Sequence, residues 1–177
     1  GLEPQMAAVH SLGQNTALVA VGVLDFESAL RLVKIRGEAM QTAGEEKPGT
    51  MAAIIGLENE AIDEICALAA DEGVVQPANY NSPGQIVISG DHAAIKKAVQ
   101  LATEKGARKA LELIVGGAFH SPLMEGARQK LKLALDETVF NDARAPIYQN
   151  ATASAETDAT TIKKNLDLQL TSPVRWI

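Results

Sequence analysis

One segment of the chain, residues 49–116, alternates between strand and helix patterns in an order that few folds accommodate. The patterns predict, in order, a strand over 50–56, a helix over 60–72, strands over 74–80 and 85–89, a helix over 91–105 and a strand over 108–115. The order β-α-β-β-α-β is that of a ferredoxin-like module. Because such a unit buries its own apolar face, we predict that residues 49–116 form a small subdomain inserted into a larger one.

The residues on either side of this module also alternate between strands and helices. A polar stretch with two glycines and a proline, residues 44–49, separates the first flank from the module. Ser121 and Pro122 are predicted to begin a helix as its N-cap and first residue. The other predicted elements are strands over 6–9 and 146–150 and helices from 16, over 26–41 and over 158–170. The sequence therefore predicts an α/β protein in which residues 1–48 and 117–177 share one larger subdomain.

The composition is that of a globular protein, and it argues against several classes of function. Of 177 residues, 46% are apolar and 21% are charged, which is enough to bury a core. A net charge of −6 and an aromatic content of 3% argue against nucleic-acid binding. No apolar run reaches the ~18 residues of a membrane span, and no signal peptide is recognisable. The lone cysteine, Cys66, fits a reducing compartment, so we expect a cytoplasmic location.

A serine between a predicted strand and a predicted helix is the first residue with catalytic potential. Ser11 lies in the segment HSLG at 10–13. A sharp strand-to-helix turn exposes a serine hydroxyl, and the helix N-terminus offers N–H groups to a developing oxyanion. The same position also suits a serine that only caps the helix. The local pattern leaves both interpretations open, nucleophile and cap.

Two further residues have both a catalytic and a structural interpretation. His120, in a loop with two glycines, is either a structural histidine or the general base of Ser11, since its pKa lies near working pH. Arg36 is either a charge at the solvated edge of a helix or an inward-facing clamp for a carboxylate. His92 is expected to face solvent. With three histidines and no acidic or thiol partner at ligand spacing, we predict no metal site.

Taken together, five short motifs resemble one enzyme family. The motifs are HSLG at 10–13, RG at 36–37, MAAIIG at 51–56, NYNSPGQIVISG at 79–90 and GGAFHSPLM at 116–124. In this order and spacing the chain resembles the malonyl-CoA:acyl-carrier-protein transacylases, the acyltransferases of bacterial type II fatty-acid synthesis. The resemblance covers essentially the whole chain. It favours the catalytic interpretation of Ser11, Arg36 and His120.

The resemblance implies a role for each matching residue. Ser11 corresponds to the nucleophile that takes the malonyl group from coenzyme A as an ester, and His120 to its general base. Leu12 corresponds to the residue whose backbone N–H forms half of the oxyanion hole. Arg36 corresponds to the arginine that binds the malonyl carboxylate. Phe119 resembles the malonyl-selecting form of its loop, in which the ring crowds an α-methyl branch.

The resemblance also implies the fold, the substrates and the order of the reaction. The larger subdomain is expected to be α/β-hydrolase-like, and His10, Asn79 and Asn81 are expected to border the substrate cleft. The implied partners are malonyl-CoA and acyl carrier protein. The implied mechanism is ping-pong, through acylation of Ser11, departure of coenzyme A and attack by the phosphopantetheine thiol. No permanently bound cofactor is implied, because the coenzyme A thioester is itself a substrate.

The chain departs from the family pattern near the nucleophile. Val9, Gln14 and Asn15 replace a glycine, an acidic residue and an aromatic residue, and a β-branched Val9 is expected to crowd the strand-to-helix turn. The family strand with the second oxyanion donor precedes the first residue. The family segment that orients the catalytic histidine is expected beyond Trp176.

Two alternative functions stay open at this point. The first is a serine hydrolase with a related turn, which does not need a carboxylate clamp such as Arg36. The second is an inactive fragment or variant that binds carrier protein or a partner without turnover.

Overall fold

The computed structural model describes residues 3–177, which form alternating strands and helices. The strands are β1 (Ala7–Ala8), β2 (Thr50–Ile55), β3 (Val75–Ser82), β4 (Gln85–Gly90), β5 (Lys109–Glu112), β6 (Ile147–Tyr148), β7 (Ala155–Glu156) and β8 (Val174–Arg175). The helices are α1 (Gly13–Ala20), α2 (Phe26–Glu46), α3 (Asn59–Ala69), α4 (His92–Glu104), α5 (Glu125–Glu137) and α6 (Ala159–Leu168). The predicted mixed α/β class is therefore confirmed.

Four antiparallel strands and two helices build one half of the fold. The strands lie in the order β5-β2-β4-β3, and β8 from the chain's last residues adds to β3 in parallel. Alternate residues of β2 and β4 point to one face, as the pleat of a strand requires, and α3 and α4 cover that face. The resulting core contains Ala52, Ile54, Ile62, Ile65, Cys66, Ala69, Ile86, Ile88, Ile95, Ala98 and Ala102.

A second, separate core lies among α1, α2, α5 and α6 and the three-stranded sheet β1-β6-β7. In this sheet β1 pairs in parallel with β6, and Ala7 lies opposite Ile147. The long helix α2 packs along α5 and buries Leu32 and Ala39. This half of the fold carries the turn between β1 and α1, where Ser11 lies.

Side-chain caps explain where two of these helices begin. The Asp25 carboxylate accepts a hydrogen bond from the Ser28 N–H at 2.8 Å, so α2 starts at Phe26 as predicted. In the same way Asp158 accepts from the Thr161 N–H at 2.7 Å at the start of α6.

The predicted break at residues 44–49 was placed too early. Helix α2 continues through Gly44 to Glu46. Gly44 is buried where α2 crosses the loop after β5, and a Cβ at this position would collide with the carbonyl oxygen of Gly116. The glycine therefore permits a close approach of two backbones and does not end the helix.

Several other predicted boundaries were also wrong. Helix α1 begins at Gly13 and not at residue 16, and the strand predicted over 108–115 is confined to Lys109–Glu112. Ser121 is the N-cap and Pro122 the first residue, as predicted, but this first turn, Pro122–Met124, is 3₁₀, and α5 begins at Glu125. The two-residue strands β7 and β8 were not predicted, because two residues are too few to show a period. Within residues 3–177, no helix has the length and apolar character needed to cross a membrane.

Candidate active site

Ser11 lies at a sharp turn between β1 and α1. Its φ of 47° is in the left-handed region, which a residue with a side chain seldom adopts. Asn150, just after β6, spans this turn: its Oδ1 accepts from the Ser11 N–H at 2.6 Å, and its Nδ2 donates to the Val9 carbonyl at 2.6 Å. Val9 does not disrupt the turn, because the residue opposite it is Gly13, where an added Cβ would lie 3.2 Å from the Val9 Cβ.

The Ser11 hydroxyl contacts the ring of a buried histidine. Ser11 Oγ lies 2.8 Å from His120 Nε2, and His120 Nδ1 lies 2.9 Å from the Gln169 carbonyl oxygen. A carbonyl only accepts hydrogen bonds, so Nδ1 carries the ring proton and Nε2 offers its lone pair to the serine hydroxyl. His120 is thus in the tautomer that a general base requires. The segment that orients this histidine was expected beyond Trp176, but the acceptor of Nδ1 is the carbonyl of Gln169.

The environment of His120 keeps its ring neutral. Burial lowers the pKa of His120 to about 4, and the positive charge of Arg36 acts in the same direction. The hydrogen bond to the Gln169 carbonyl opposes this shift only in part. At neutral pH the imidazole therefore carries no proton on Nε2 and is able to accept one.

Arg36 lies on the inner face of α2 and is only 7% exposed, so the solvated-edge interpretation is wrong. Its Nη2 donates to Ser11 Oγ at 3.0 Å and lies 3.5 Å from Gln169 Oε1. The Arg36 Nε has no hydrogen-bond partner, and no carboxylate of residues 3–177 lies within 4.0 Å of the guanidinium. Burial lowers the pKa of Arg36 to about 10, so the group stays charged at neutral pH. A buried cation without a counter-ion beside a nucleophile is suited to binding an anionic group.

Buried amide side chains, which sequence reasoning missed as site residues, connect this centre. Gln169 Nε2 lies 2.7 Å from Gln14 Oε1, 3.1 Å from the Ser11 carbonyl and 3.2 Å from Asn150 Oδ1. Gln14 Nε2 in turn donates to Gln149 Oε1 at 2.6 Å. The sequence holds a weak signal for them, since Gln169 stands between two leucines and a Gln-Asn pair follows β6. Only burial reveals that these amides form one network.

The other residues expected at the cleft lie at different distances from this centre. His10 Nε2 lies 3.0 Å from Asn81 Oδ1, and the His10 ring lies 5.9 Å from the ring of Trp176. The hairpin of β3 and β4 therefore contacts the turn that carries Ser11. Asn79 is buried in β3 opposite Val174, and the described residues show no hydrogen bond between its side chain and the centre.

Leu12 and Phe119 flank the two central residues. No group in residues 3–177 accepts a hydrogen bond from the Leu12 N–H, which leaves this donor available to a ligand. Phe119 packs against both the core of α2 and α5 and a small cluster of Met51, Ala78 and Val87 on the other face of the antiparallel sheet. In the described part of the chain, no three His, Cys, Asp or Glu side chains form a group that could hold a metal ion.

Comparison with known proteins decides the family. The profile of the acyl transferase domain family matches residues 1–176. The chain belongs to the acyl transferase domain family. The family resemblance of the motifs is therefore confirmed, and so is an α/β acyltransferase fold.

Relatives of known name agree with this assignment. The malonyl CoA-acyl carrier protein transacylase of Haemophilus influenzae is 46% identical over 175 residues, which are 99% of this chain and 56% of the relative. The structure of an acyl carrier protein S-malonyltransferase from Vibrio cholerae superposes with a TM-score of 0.94 at 47% identity, over 99% of this chain and 57% of that one. The structure of a malonyl-transacylase in complex with a type II PKS acyl-carrier protein also matches, with a TM-score of 0.94 at 43% identity. The match covers 99% of this chain and 57% of that one. The chain thus spans a little more than half the length of these relatives.

Proposed function

We propose that this chain carries the acyl-transfer centre of a malonyl-CoA:acyl-carrier-protein transacylase. One observation supports this most strongly: Ser11 Oγ lies 2.8 Å from the His120 Nε2 and 3.0 Å from the Arg36 Nη2. A nucleophile, its base and a buried cation meet at one atom. The names of the relatives, one of them bound to a carrier protein, agree with this chemistry.

In the first half-reaction, Ser11 Oγ attacks the thioester carbonyl carbon of malonyl-CoA. His120 Nε2 takes the hydroxyl proton as the C–O bond forms, and the oxyanion faces the Leu12 N–H. The C–S bond then breaks, and the proton passes from Nε2 to the coenzyme A sulfur. The products are free coenzyme A and a malonyl ester on Ser11.

The second half-reaction reverses these roles with a different thiol. His120 Nε2 takes the proton of the phosphopantetheine thiol, and its sulfur attacks the ester carbonyl carbon. The bond to Ser11 Oγ breaks, and His120 returns the proton to the serine. No atom or electron is left over, so the proposed reaction needs no resident cofactor or metal. The thioester substrate supplies the activated acyl group.

Selection of the malonyl group is assigned to residues around the nucleophile. Arg36 has a planar guanidinium that can pair with the free carboxylate of a malonyl group, and its Nε is without a partner in residues 3–177. Phe119 is proposed to crowd acyl groups with an α-methyl branch. His10, Asn79 and Asn81 are proposed to border the cleft, and the contact of His10 with Asn81 is consistent with this.

The division into subdomains is part of the same proposal. We assign residues 49–116 to an inserted ferredoxin-like subdomain and residues 1–48 and 117–177 to parts of an α/β-hydrolase-like subdomain. Two observations support this division: the core of α3 and α4 draws only on residues of the first range, and the core of α2 and α5 only on the others. We expect the protein to act in the cytoplasm, where Cys66, which is buried in the inserted unit, stays a thiol.

The proposal is tested by the intact mass of the chain after mixing with malonyl-CoA. We expect a malonyl adduct that Ser11→Ala abolishes. The matched control, Ser82→Ala, removes an exposed hydroxyl contact to Gln85 Oε1, and it should keep the adduct. If saturating malonyl-CoA leaves the mass of the wild-type chain unchanged, the proposal is wrong for this chain, as the inactive-fragment alternative expects.

The fate of the adduct separates transfer from hydrolysis. A transferase should keep its ester in water and lose it when carrier protein bearing phosphopantetheine is added, with malonyl appearing on that protein. An adduct that decays equally fast without carrier protein would identify a serine hydrolase.

A further inference from the structure

A side chain of the antiparallel sheet reaches the backbone of His120. Gln76, near the start of β3, donates from its Nε2 to the His120 carbonyl oxygen at 2.8 Å and lies 3.4 Å from the Thr171 carbonyl oxygen. An amide nitrogen has two N–H groups, so both are directed to backbone carbonyls. Both partners are carbonyl oxygens, which only accept hydrogen bonds. The amide nitrogen of Gln76 therefore faces them, and its oxygen points away.

The His120 backbone needs such a contact. Its φ of 57° is in the left-handed region, and a residue with a side chain stays there only where its surroundings hold it. No other group of residues 3–177 donates a hydrogen bond to the His120 carbonyl. On the other side, Ser121 Oγ donates to the Ala118 carbonyl at 2.6 Å and holds the preceding turn of the loop.

The second carbonyl that Gln76 contacts belongs to the segment that orients the imidazole. Thr171 lies two residues after Gln169, whose carbonyl accepts from His120 Nδ1 at 2.9 Å. Gln76 therefore joins the backbone that carries the imidazole to the backbone that carries its acceptor. A shift between these two segments would lengthen the Nδ1 hydrogen bond and turn Nε2 away from Ser11.

We propose that Gln76 is a positioning residue through which the antiparallel sheet holds the His120 imidazole in line with Ser11. The inference rests on the proposed function, in which His120 is the general base. Within residues 3–177 Gln76 donates to the two backbone carbonyls and makes no hydrogen bond to the side chain of Ser11 or of His120. Its contribution should therefore appear in the proton-transfer step and not in the binding of the acyl group.

The first test measures acylation of Ser11 in two variants that differ in kind. Gln76→Met keeps the length of the side chain but has no donor, and Gln76→Glu places an acceptor against two carbonyl oxygens. We expect both to lower kcat for acylation about tenfold or more while KM for malonyl-CoA changes little, because misplacing a catalytic group by about 1 Å can slow the chemical step about a hundredfold. The control, Gln100→Met on the exposed face of α4, removes a hydrogen bond to Glu104 and should act like the wild type.

The second test measures which ring nitrogen of His120 carries the proton, and it does not require turnover. The ¹⁵N chemical shifts of labelled histidine distinguish a proton on Nδ1 from one on Nε2, and His10 and His92 serve as internal references. We expect His120 to hold its proton on Nδ1 in the wild type and in Gln100→Met, and to populate both tautomers in Gln76→Met and Gln76→Glu. Thermal unfolding confirms that each variant is folded.

These outcomes separate the two proposals. A wild-type chain without a malonyl adduct contradicts the proposed function, whereas the tautomer of His120 still reports on Gln76. If both variants are folded and keep the Nδ1–H tautomer of the wild type, Gln76 does not position His120. A raised KM for malonyl-CoA with an unchanged kcat would likewise overturn the inference.

Discussion

Arg36 and Ser11 meet side chain to side chain, with the Arg36 Nη2 donating to the Ser11 Oγ at 3.0 Å. The contact joins the middle of α2 to the turn before α1 and brings a positive charge to the proposed nucleophile. A carboxylate bound by Arg36 would therefore lie close to Ser11.

Replacing Arg36 should therefore slow the loading of malonyl groups far more than the loading of acetyl groups. For Arg36→Ala we expect malonyl loading from coenzyme A to fall about a hundredfold, because a charge-assisted pair of hydrogen bonds is lost, and acetyl loading to change only a few-fold. The measurement is the rate of adduct formation on Ser11 with each thioester. Arg31→Ala, on the exposed face of the same helix, should change neither rate. Equal losses for both acyl groups would contradict the clamp.

The low pKa of His120 predicts how stability depends on pH. The folded state holds His120 neutral down to about pH 4, whereas an unfolded histidine takes up a proton near its ordinary value of 6.5. Between these values the unfolded state binds more protons, so the free energy of unfolding should fall by about 3 kcal/mol as the pH falls from 6.5 to 4. Below pH 4 this contribution levels off.

The variant His120→Gln isolates this effect from the carboxylates that titrate in the same range. Urea unfolding of both proteins at pH 7 and pH 4 provides the comparison. The wild type should lose about 3 kcal/mol more between the two pH values than the variant, which has no group to titrate at this position. Identical losses would show that His120 titrates normally in the folded protein.

Asn150 should stabilise the turn that carries Ser11. Asn150→Ala removes the acceptor of the Ser11 N–H and the donor to the Val9 carbonyl, both at 2.6 Å and both partly buried. We expect the free energy of unfolding to fall by about 2 to 4 kcal/mol, and acylation of Ser11 to slow. Asn141→Ala, at an exposed position before β6, serves as the control and should stay within about 0.5 kcal/mol of the wild type. Urea unfolding measures both, and an equally small effect at Asn150 would contradict its role.

Two glycines of α2 should respond in opposite directions to the same change. Gly37→Ala adds a methyl group where no atom lies within 4 Å, and it should stabilise the helix by about 0.5 to 1 kcal/mol. Gly44→Ala directs a Cβ at the Gly116 carbonyl oxygen, and it should destabilise the protein by about 1 to 3 kcal/mol. Thermal and urea unfolding provide the comparison. A stabilising Gly44→Ala would mean that α2 and the loop after β5 separate easily.

The spacing of apolar residues predicted the antiparallel half of the fold well. Ile62, Ile65, Cys66 and Ala69 recur at helical spacing, and all four are buried in the core of α3 and α4. The prediction failed at Gly44, where a residue typical of a break lies inside a helix. A local pattern does not record that another backbone passes close by.

Ser11 and His120 were recognisable from motifs, but the groups that hold them were not. Ser11 and His120 are 109 residues apart in the chain, and their pairing was one of two open interpretations until the family resemblance favoured it. Gln169 and Asn150 both form hydrogen bonds with the Ser11 backbone, although they lie 158 and 139 residues away from it in the sequence. Neither residue belongs to a motif with a known spacing.

The sequence by itself determined the alternation of strands and helices and the family, and it singled out Ser11 and His120 as the proposed nucleophile and base, because each of these is recorded in short runs of residues. Only the tertiary structure decided that the Arg36 side chain points inward, that the His120 ring proton lies on Nδ1, and that Gln76 contacts the His120 backbone. Burial and hydrogen-bond partners distant in the chain set these properties. A polar side chain acquires its role only when folding removes water and leaves it with particular neighbours.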